Sequence, residues 1–419
     1  MTTSKRADGS GGSRSEADET AAAAAAAAAT TSAELTQPAD EEPFQQALIP
    51  APSPVRFIDN AGNRVTPVTD DYTEPPTEQL LEAYRRMVIG RRFNVQATAL
   101  TMQGRLAVYP SSRGQEACQV GAVLALRDTD WFFPTYRDSV AIITRGVDTV
   151  ECLTSPRGNL HVGYDPVRWH TASPATPLAT QLLHAAGLAY GERRRGRDTV
   201  ALAFIGDGAT SEGDFHEALN FAAVFKSPVV FVIQNNGWAI SVPLSKQTAA
   251  PSLAYKGIGY GVVAEQADGN DVMAVLAVIN KGVEYARAGR GPVLVELHTY
   301  RMEAHTNADD ASRYRDAGLV EEWSQNDPIV RLESYLLTQG LIDQAGVDAV
   351  KAEAEAMAAE LRERMNAEPQ IDPMSMFTNV YAVPTPQLEE QREMVRAEIE
   401  ADSEALAAGE ASGVGAGGH

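Results

Sequence analysis

Cysteine is nearly missing from this chain: Cys118 and Cys152 are the only two among 419 residues. Two thiols cannot staple a disulfide scaffold, and their separation fits no zinc site, so a reducing compartment is expected. Long apolar runs are missing too. A membrane helix needs about 20 consecutive apolar residues, and no run here approaches that. The alanine tract at 21–29 follows Glu16, Asp18 and Glu19, where a secretory signal carries basic residues and a transit peptide avoids acidic ones. The expected location is therefore cytoplasmic. Basic residues are outnumbered, 35 Lys and Arg against 56 Asp and Glu, giving a net charge of −21. Non-specific nucleic-acid binding needs the opposite balance. About half of the acidic excess sits in the two chain ends, where its main consequence is solubility.

What is present reads as a globular body between two polar ends. Residues 1–45 hold Ser, Gly, Ala, Thr and acidic residues, too little apolar surface to offset the entropy of ordering, so disorder is expected. The body is expected to span 46–385, followed by an acidic tail, 386–419, that is helical at 389–406 and disordered from Gly409. Within the body, 55–65 reads as a small hairpin turning at Asn60-Ala61-Gly62. Thr77 is placed to cap a helix carrying Leu80, Leu81, Tyr84, Met87 and Val88 as far as about Met102. Arg91 and Arg92 on that helix are expected in ion pairs. A second helix is expected at 117–126, strands at 261–265 and 292–297, and a helix at 272–288 behind the Gly269-Asn270-Asp271 cap. Beyond Trp323 the chain is expected to be helical, then extended over 369–386.

The stretch 200–240 organises the rest. An apolar run at 200–205 is long enough for a strand buried on both faces. Gly206-Asp207-Gly208 breaks it with a turn that lets backbone approach a ligand. From about Thr210 the spacing of Phe215, Leu219, Ala222 and Phe225 predicts a helix, ended by Pro228. A second apolar run at 229–233 delivers Gln234-Asn235-Asn236-Gly237-Trp238. Strand, helix and strand in this order predict a parallel pair, and ligands in such sheets bind at the carboxyl ends of the strands. Asp207 and Asn236 would then converge, offering oxygen ligands of the kind Mg²⁺ takes beside phosphates. A helix starting just after Gly208 would offer free N–H groups to those phosphates. Taken alone, Gly-Asp-Gly is more often a plain turn; the two motifs at matching strand ends reverse that.

Gly206-Asp207-Gly208 followed after some two dozen residues by Asn235-Asn236 resembles the thiamin diphosphate motif. The resemblance extends over roughly 55–385 and is to the alpha subunits of the decarboxylating component of 2-oxo acid dehydrogenase complexes. It implies an α/β fold, an open and mostly parallel sheet with helices on both faces, plus a helical C-terminal extension. It implies thiamin diphosphate held with Mg²⁺ by Asp207, Asn236 and the carbonyl of Trp238, with Gly206, Gly208 and Ala209 along the diphosphate. Tyr136-Arg137 resembles a pair that contacts the cofactor, the arginine on its diphosphate. Thr176 matches a small hydroxyl residue beside it, and Thr180-Gln181 a pair that binds K⁺ in some members. The phrase from Tyr300-Arg301 through His305, Asp309-Asp310 and Tyr314-Arg315 resembles the family's regulatory loop. His305 there is implied to be the acid/base residue, with a near-neutral pKa suited to proton transfer. The chain departs from the pattern at Thr306, where some relatives carry a regulated serine. It departs also at Gln234, where several carry a cofactor-contacting arginine, and at Thr135, where some carry glutamine.

The function so implied is oxidative decarboxylation of a 2-oxo acid and acylation of lipoyl groups on an acyltransferase core. The compact loop between Gly158 and Thr180 resembles bacterial branched-chain subunits. A pyruvate or acetoin dehydrogenase alpha subunit would share every motif named. A transketolase-like enzyme would carry both halves of the site in one longer chain. A non-catalytic metal- or nucleotide-binding scaffold is the reading outside enzymes. Nothing in the chain accounts for the cofactor's aminopyrimidine, so the resemblance implies a beta subunit and an assembly of two alpha and two beta chains.

Overall fold

Five parallel strands carry the cavity edge: β1 (Trp131–Phe133), β2 (Ala201–Gly206), β3 (Val229–Asn235), β4 (Val263–Asp268) and β5 (Val293–His298). Their order is β1-β2-β3-β5-β4. The computed structural model describes residues 48–67, 71–159, 161–367 and 372–411, with side chains as far as 405. The expectations for 1–45 and 412–419 lie outside those residues.

The unbroken apolar runs follow from burial on both faces. Side chains alternate across a strand. Leu202 and Phe204 of β2, Val230 and Val232 of β3, and Val293, Val295 and Leu297 of β5 enter one core. Ala201, Ala203, Ile205, Val229, Phe231, Ile233 and Leu294 enter the other. Helices Thr77–Met102, Glu116–Leu124 and Val272–Arg287 supply the first core. Helices Thr180–Arg194 and Gly213–Val224 supply the second. The C-terminal helices Pro328–Thr338 and Gln344–Asn366 join the first core through Leu332, Leu336, Val347, Leu361 and Met365. Arg91 pairs there with Glu116 and, at 2.8 Å, with Asp327, while Arg92 reaches Glu355 at 2.7 Å. Both arginines make the ion pairs expected of them.

Several boundaries differ from expectation. The first long helix starts at Thr77, with Pro76 in the cap position and no side-chain cap. The fixed φ of Pro76, −66°, starts the helix, and its carbonyl accepts from the N–H groups of Gln79 and Leu80 at 3.0 and 3.2 Å. Residues 55–65 form one antiparallel bridge, Ile58 to Arg64, while Val55 pairs in parallel with Ala267 at the sheet edge. The compact loop between Gly158 and Thr180 contains the one-turn helix Pro166–Trp169. The segment at 369–386 contains the 3₁₀ turn Pro373–Phe377, and the last helix is longer than expected, Pro386–Ala411. After Gly208 the chain makes a 3₁₀ turn, Gly208–Ser211, and the α-helix starts only at Gly213. The Thr210 hydroxyl donates to the Asp207 carbonyl at 2.7 Å and so tightens that turn.

Asp271 ties the layers together. It is fully buried and caps helix Val272–Arg287 by accepting from Met273 and Ala274 N–H at 3.0 and 3.2 Å. Its other oxygen accepts from Phe57 and Ile58 N–H at 2.7 and 2.8 Å and lies 3.6 Å from Arg331. Burial pushes this carboxyl's pKa up, and Arg331 with the N–H groups of Ile58 and Phe57 opposes the push. Asp271→Ala leaves buried donors and a buried guanidinium short of a partner. It should cost about 3–5 kcal/mol, the range for breaking a buried charged pair from one side. Urea unfolding of the two proteins measures this, with the midpoint expected to fall steeply.

Candidate active site

In-register pairing of Gly206 with Gln234 makes the two chains leave the sheet side by side. Asp207 follows one strand and Asn236 the other, and both are almost completely buried. Together with residues that follow β1 and with His305 they line one cavity of about 280 Å³ at the carboxyl ends of the strands. Parallel sheets place ligands there because the loops that leave the strand ends diverge.

The two glycines of the turn after β2 differ in what surrounds them. A Cβ at Gly206 would stand in open space on the cavity side, so this backbone is bare to a ligand. A Cβ at Gly208 would come within 2.4 Å of the Ala239 Cβ, which only glycine avoids. Ala239 belongs to a two-residue ladder, Trp238–Ala239 against Val242–Pro243, that folds back over the turn. Asp207 accepts from the Gln247 side chain at 2.8 Å and makes no ion pair among the described residues. Burial pushes its carboxyl pKa up. A buried carboxylate so placed is stabilised by a cation. Asn236 accepts from Trp238 N–H at 3.1 Å and donates to Gln115 at 3.1 Å.

Across the cavity, Arg137 is only 6% exposed, and its guanidinium holds His305 in place. It donates to the Ser111 carbonyl at 2.8 Å, and to both Nδ1 and the carbonyl of His305 at 3.0 Å. Guanidinium only donates, so Nδ1 accepts and the neutral ring carries its proton on Nε2. Burial first, then Arg137 and Arg301, lower the His305 pKa to about 4. The ring therefore rests neutral at physiological pH, below the near-neutral pKa expected from sequence. Tyr136 meets it edge-on at 6.1 Å between ring centroids. The backbone N–H of His305 donates to Asp309 at 2.8 Å, and Tyr314 bonds the same carboxylate.

Of the residues singled out in sequence, Tyr136, Arg137, Gly206, Asp207, Gly208, Ala209, Asn236, Trp238 and His305 all line this cavity. Thr176 does not: it is exposed, and Ala175 lines the wall in its place. The reason is local, since Ala175 bridges in parallel to Thr135 and the next side chain turns outward. Gln181 lines the cavity with its Oε1 unpartnered, whereas the Thr180 hydroxyl turns to Asp214 at 3.3 Å. Sequence reasoning assigned no role to Gln115, Asp138 and Gln247. Asp138 directly follows the Tyr136-Arg137 pair; Gln115 and Gln247 carry no local signal at all. The short cysteine count agrees with two buried, free thiols, with burial pushing the Cys152 pKa up to about 12.

This arrangement has clear relatives. The dehydrogenase E1 component family matches residues 84–374. The chain is 48% identical to the 3-methyl-2-oxobutanoate dehydrogenase subunit alpha of Mycobacterium tuberculosis, over 77% of this chain and 88% of that protein. It is 40% identical to the pyruvate dehydrogenase E1 component subunit alpha of Staphylococcus aureus, over 75% of this chain and 85% of that one. No helix among the described residues is long and apolar enough to cross a membrane. A parallel sheet with an acid and an amide converging at its carboxyl edge, and similarity along most of two such subunits, place this chain in the dehydrogenase E1 component family.

Proposed function

We propose that this chain is the alpha subunit of a branched-chain 2-oxo acid dehydrogenase that binds thiamin diphosphate with Mg²⁺ in the cavity at Asp207 and Asn236. The observation that carries the reading is their convergence, both buried, opposite a histidine held by Arg137. The 48% identity to a 3-methyl-2-oxobutanoate enzyme, against 40% to a pyruvate enzyme, favours the branched-chain substrate. The residues fit such a cofactor: a buried carboxylate with no ion pair and an amide oxygen of Gln181 with no partner among the described residues, beside a bare glycine backbone.

Asp207, the Asn236 oxygen and the Trp238 carbonyl would hold the cation, whose hard character suits oxygen ligands. The backbone of 206–209 and Arg137 would face the diphosphate, with charge-assisted hydrogen bonds from the guanidinium. Gln181, with Thr180 nearby, is the candidate K⁺ position. Bound there, the cofactor supplies the electron sink for loss of carbon dioxide, and the protein supplies placement. His305 would present Nε2–H from a neutral ring, a hydrogen-bond donor that Arg137 keeps oriented. The aminopyrimidine half of the site is left to a beta subunit, and the acyl group to lipoyl chains of an acyltransferase core. Cofactor clefts commonly lie between domains in this way.

Replacing Asp207 with Ala should abolish most Mg²⁺-dependent thiamin diphosphate binding while the circular dichroism spectrum stays unchanged. Titration calorimetry decides, and unaltered affinity removes Asp207 from the metal site. His305→Ala should keep cofactor affinity but slow acyl transfer to a lipoyl acceptor by roughly two to four orders of magnitude, the reach of general acid/base catalysis. A depressed histidine pKa means the unfolded chain binds the extra proton first. Between about 4 and the ordinary value of 6.5, folding stability from His305 thus rises with pH. His305→Gln should accordingly flatten the acid limb of a stability curve in that window. The purified chain alone should turn over neither 3-methyl-2-oxobutanoate nor pyruvate, and the beta subunit should restore turnover with the former preferred. Robust decarboxylation by the chain alone would refute the divided site.

A further inference from the structure

Along the cavity floor four side-chain amides and one carboxylate form a hydrogen-bonded chain. Asp138 is fully buried; its Oδ2 accepts from the Thr135 N–H and hydroxyl at 2.6 and 2.7 Å. Its Oδ1 accepts from Gln119 at 2.9 Å and from Gln234 Nε2 at 2.7 Å. Gln234 Oε1 in turn accepts from Gln115 Nε2 at 2.9 Å and, more weakly, from Gln119 Nε2 at 3.3 Å. Gln115 Oε1 accepts from Asn236 Nδ2 at 3.1 Å. Asn236 Oδ1 is left to accept from Trp238 N–H at 3.1 Å.

A carboxylate accepts and does not donate, whereas an amide has one face of each kind. With every donor site around Asp138 aimed at it, Gln234 must turn its NH₂ inward. Its oxygen then faces Gln115, whose NH₂ must meet it, and Gln115 presents oxygen to Asn236. Asn236 is thereby forced to point NH₂ down and oxygen up. Reversing any one amide sets oxygen against oxygen, or NH₂ against NH₂, at a buried contact, a costly mismatch.

We propose that Asp138 is a positioning residue that fixes, through Gln234 and Gln115, which atom of Asn236 faces the cavity. The inference deepens the proposed metal site and rests on it for its purpose, though the amide order itself does not depend on a metal. It also assigns a role to Gln234: an amide donates on one side and accepts on the other, so it can pass the order on.

The test uses the assembled protein without ligand, by hydrogen exchange resolved at the Trp238 amide, with the Val295 amide in the core as a control for global opening. Asp138→Asn can donate as well as accept, which lets the whole chain reverse. Trp238 N–H then loses its acceptor and should exchange roughly tenfold faster, the scale of one lost hydrogen bond. If Asp138→Asn does not fold, Gln234→Leu cuts the chain midway and carries the same expectation. Adding Gln115→Glu places an acceptor-only group directly under Asn236 and should restore slow exchange in either background. Unchanged Trp238 exchange in the single variants overturns the proposal. So does faster exchange that Gln115→Glu fails to restore, since that marks Asp138 as packing alone. Mg²⁺-dependent thiamin diphosphate affinity is measured alongside: if Asp207→Ala and Asp138→Asn both leave it intact while exchange behaves as expected, the metal reading falls and the amide order stands.

Discussion

The parallel pairing of β2 with β3 is the constraint on which the cavity depends. Six rungs from Ala201–Val229 to Gly206–Gln234 set where each strand stops, and therefore which residues leave the sheet together. A slip of one residue would invert every side chain on a strand. It would send Leu202 and Phe204 into the core that now holds Ala201 and Ala203. Two cores of different shape thus hold the register, and the register holds Asp207 beside Asn236. Packing far from the cavity is what makes its geometry reproducible.

The edge is completed by chain from elsewhere. Thr299 N–H continues the pairing beyond β5 by donating to the Asn235 carbonyl at 2.9 Å, and its hydroxyl donates to Gly114 at 2.8 Å. Gly114, at φ +96°, sits where a Cβ would lie 2.3 Å from the Tyr300 carbonyl. That close approach brings Gln115 under the cavity and sets Ser111 where Arg137 reaches it. Arg301, fully buried, donates to the Ile240 carbonyl at 2.7 Å and to Tyr314 at 2.9 Å, joining the His305 loop to the hairpin beside the metal side. The two walls of the cavity are therefore mechanically one piece.

Legibility in the sequence followed the range of the interactions. The strand, turn and strand at 200–240 were plain because period, glycine and proline are local signals, and the helices at 77–102 and 272–287 followed from their spacing. The start of the α-helix at Gly213 was not, because a hydroxyl of Thr210 and the ammonium of Lys256, 46 residues on, decide it. His305 could be singled out, yet its pKa depends on burial and on Arg137, 168 residues away. Thr176 was misplaced because a single bridge to Thr135 turns the neighbouring residue inward instead. Gln115 and Asp138 illustrate the limit most clearly. Each is an ordinary polar residue until folding sets it in a sequence of contacts that no local pattern encodes.

The meeting of Gly208 with Ala239 has a consequence for how this region can vary through descent. The two positions share one small volume, with room for a single methyl group between them. Ala239 holds that methyl, so any change at 208 that adds carbon must be preceded by its loss at 239. Glycine at 239 removes that methyl, yet the 239 Cα still lies 3.2 Å from where a Cβ at 208 would stand, so even that route needs the hairpin to give way slightly. The turn beside Asp207 is thus shielded from drift by a residue of the small hairpin that folds back over it.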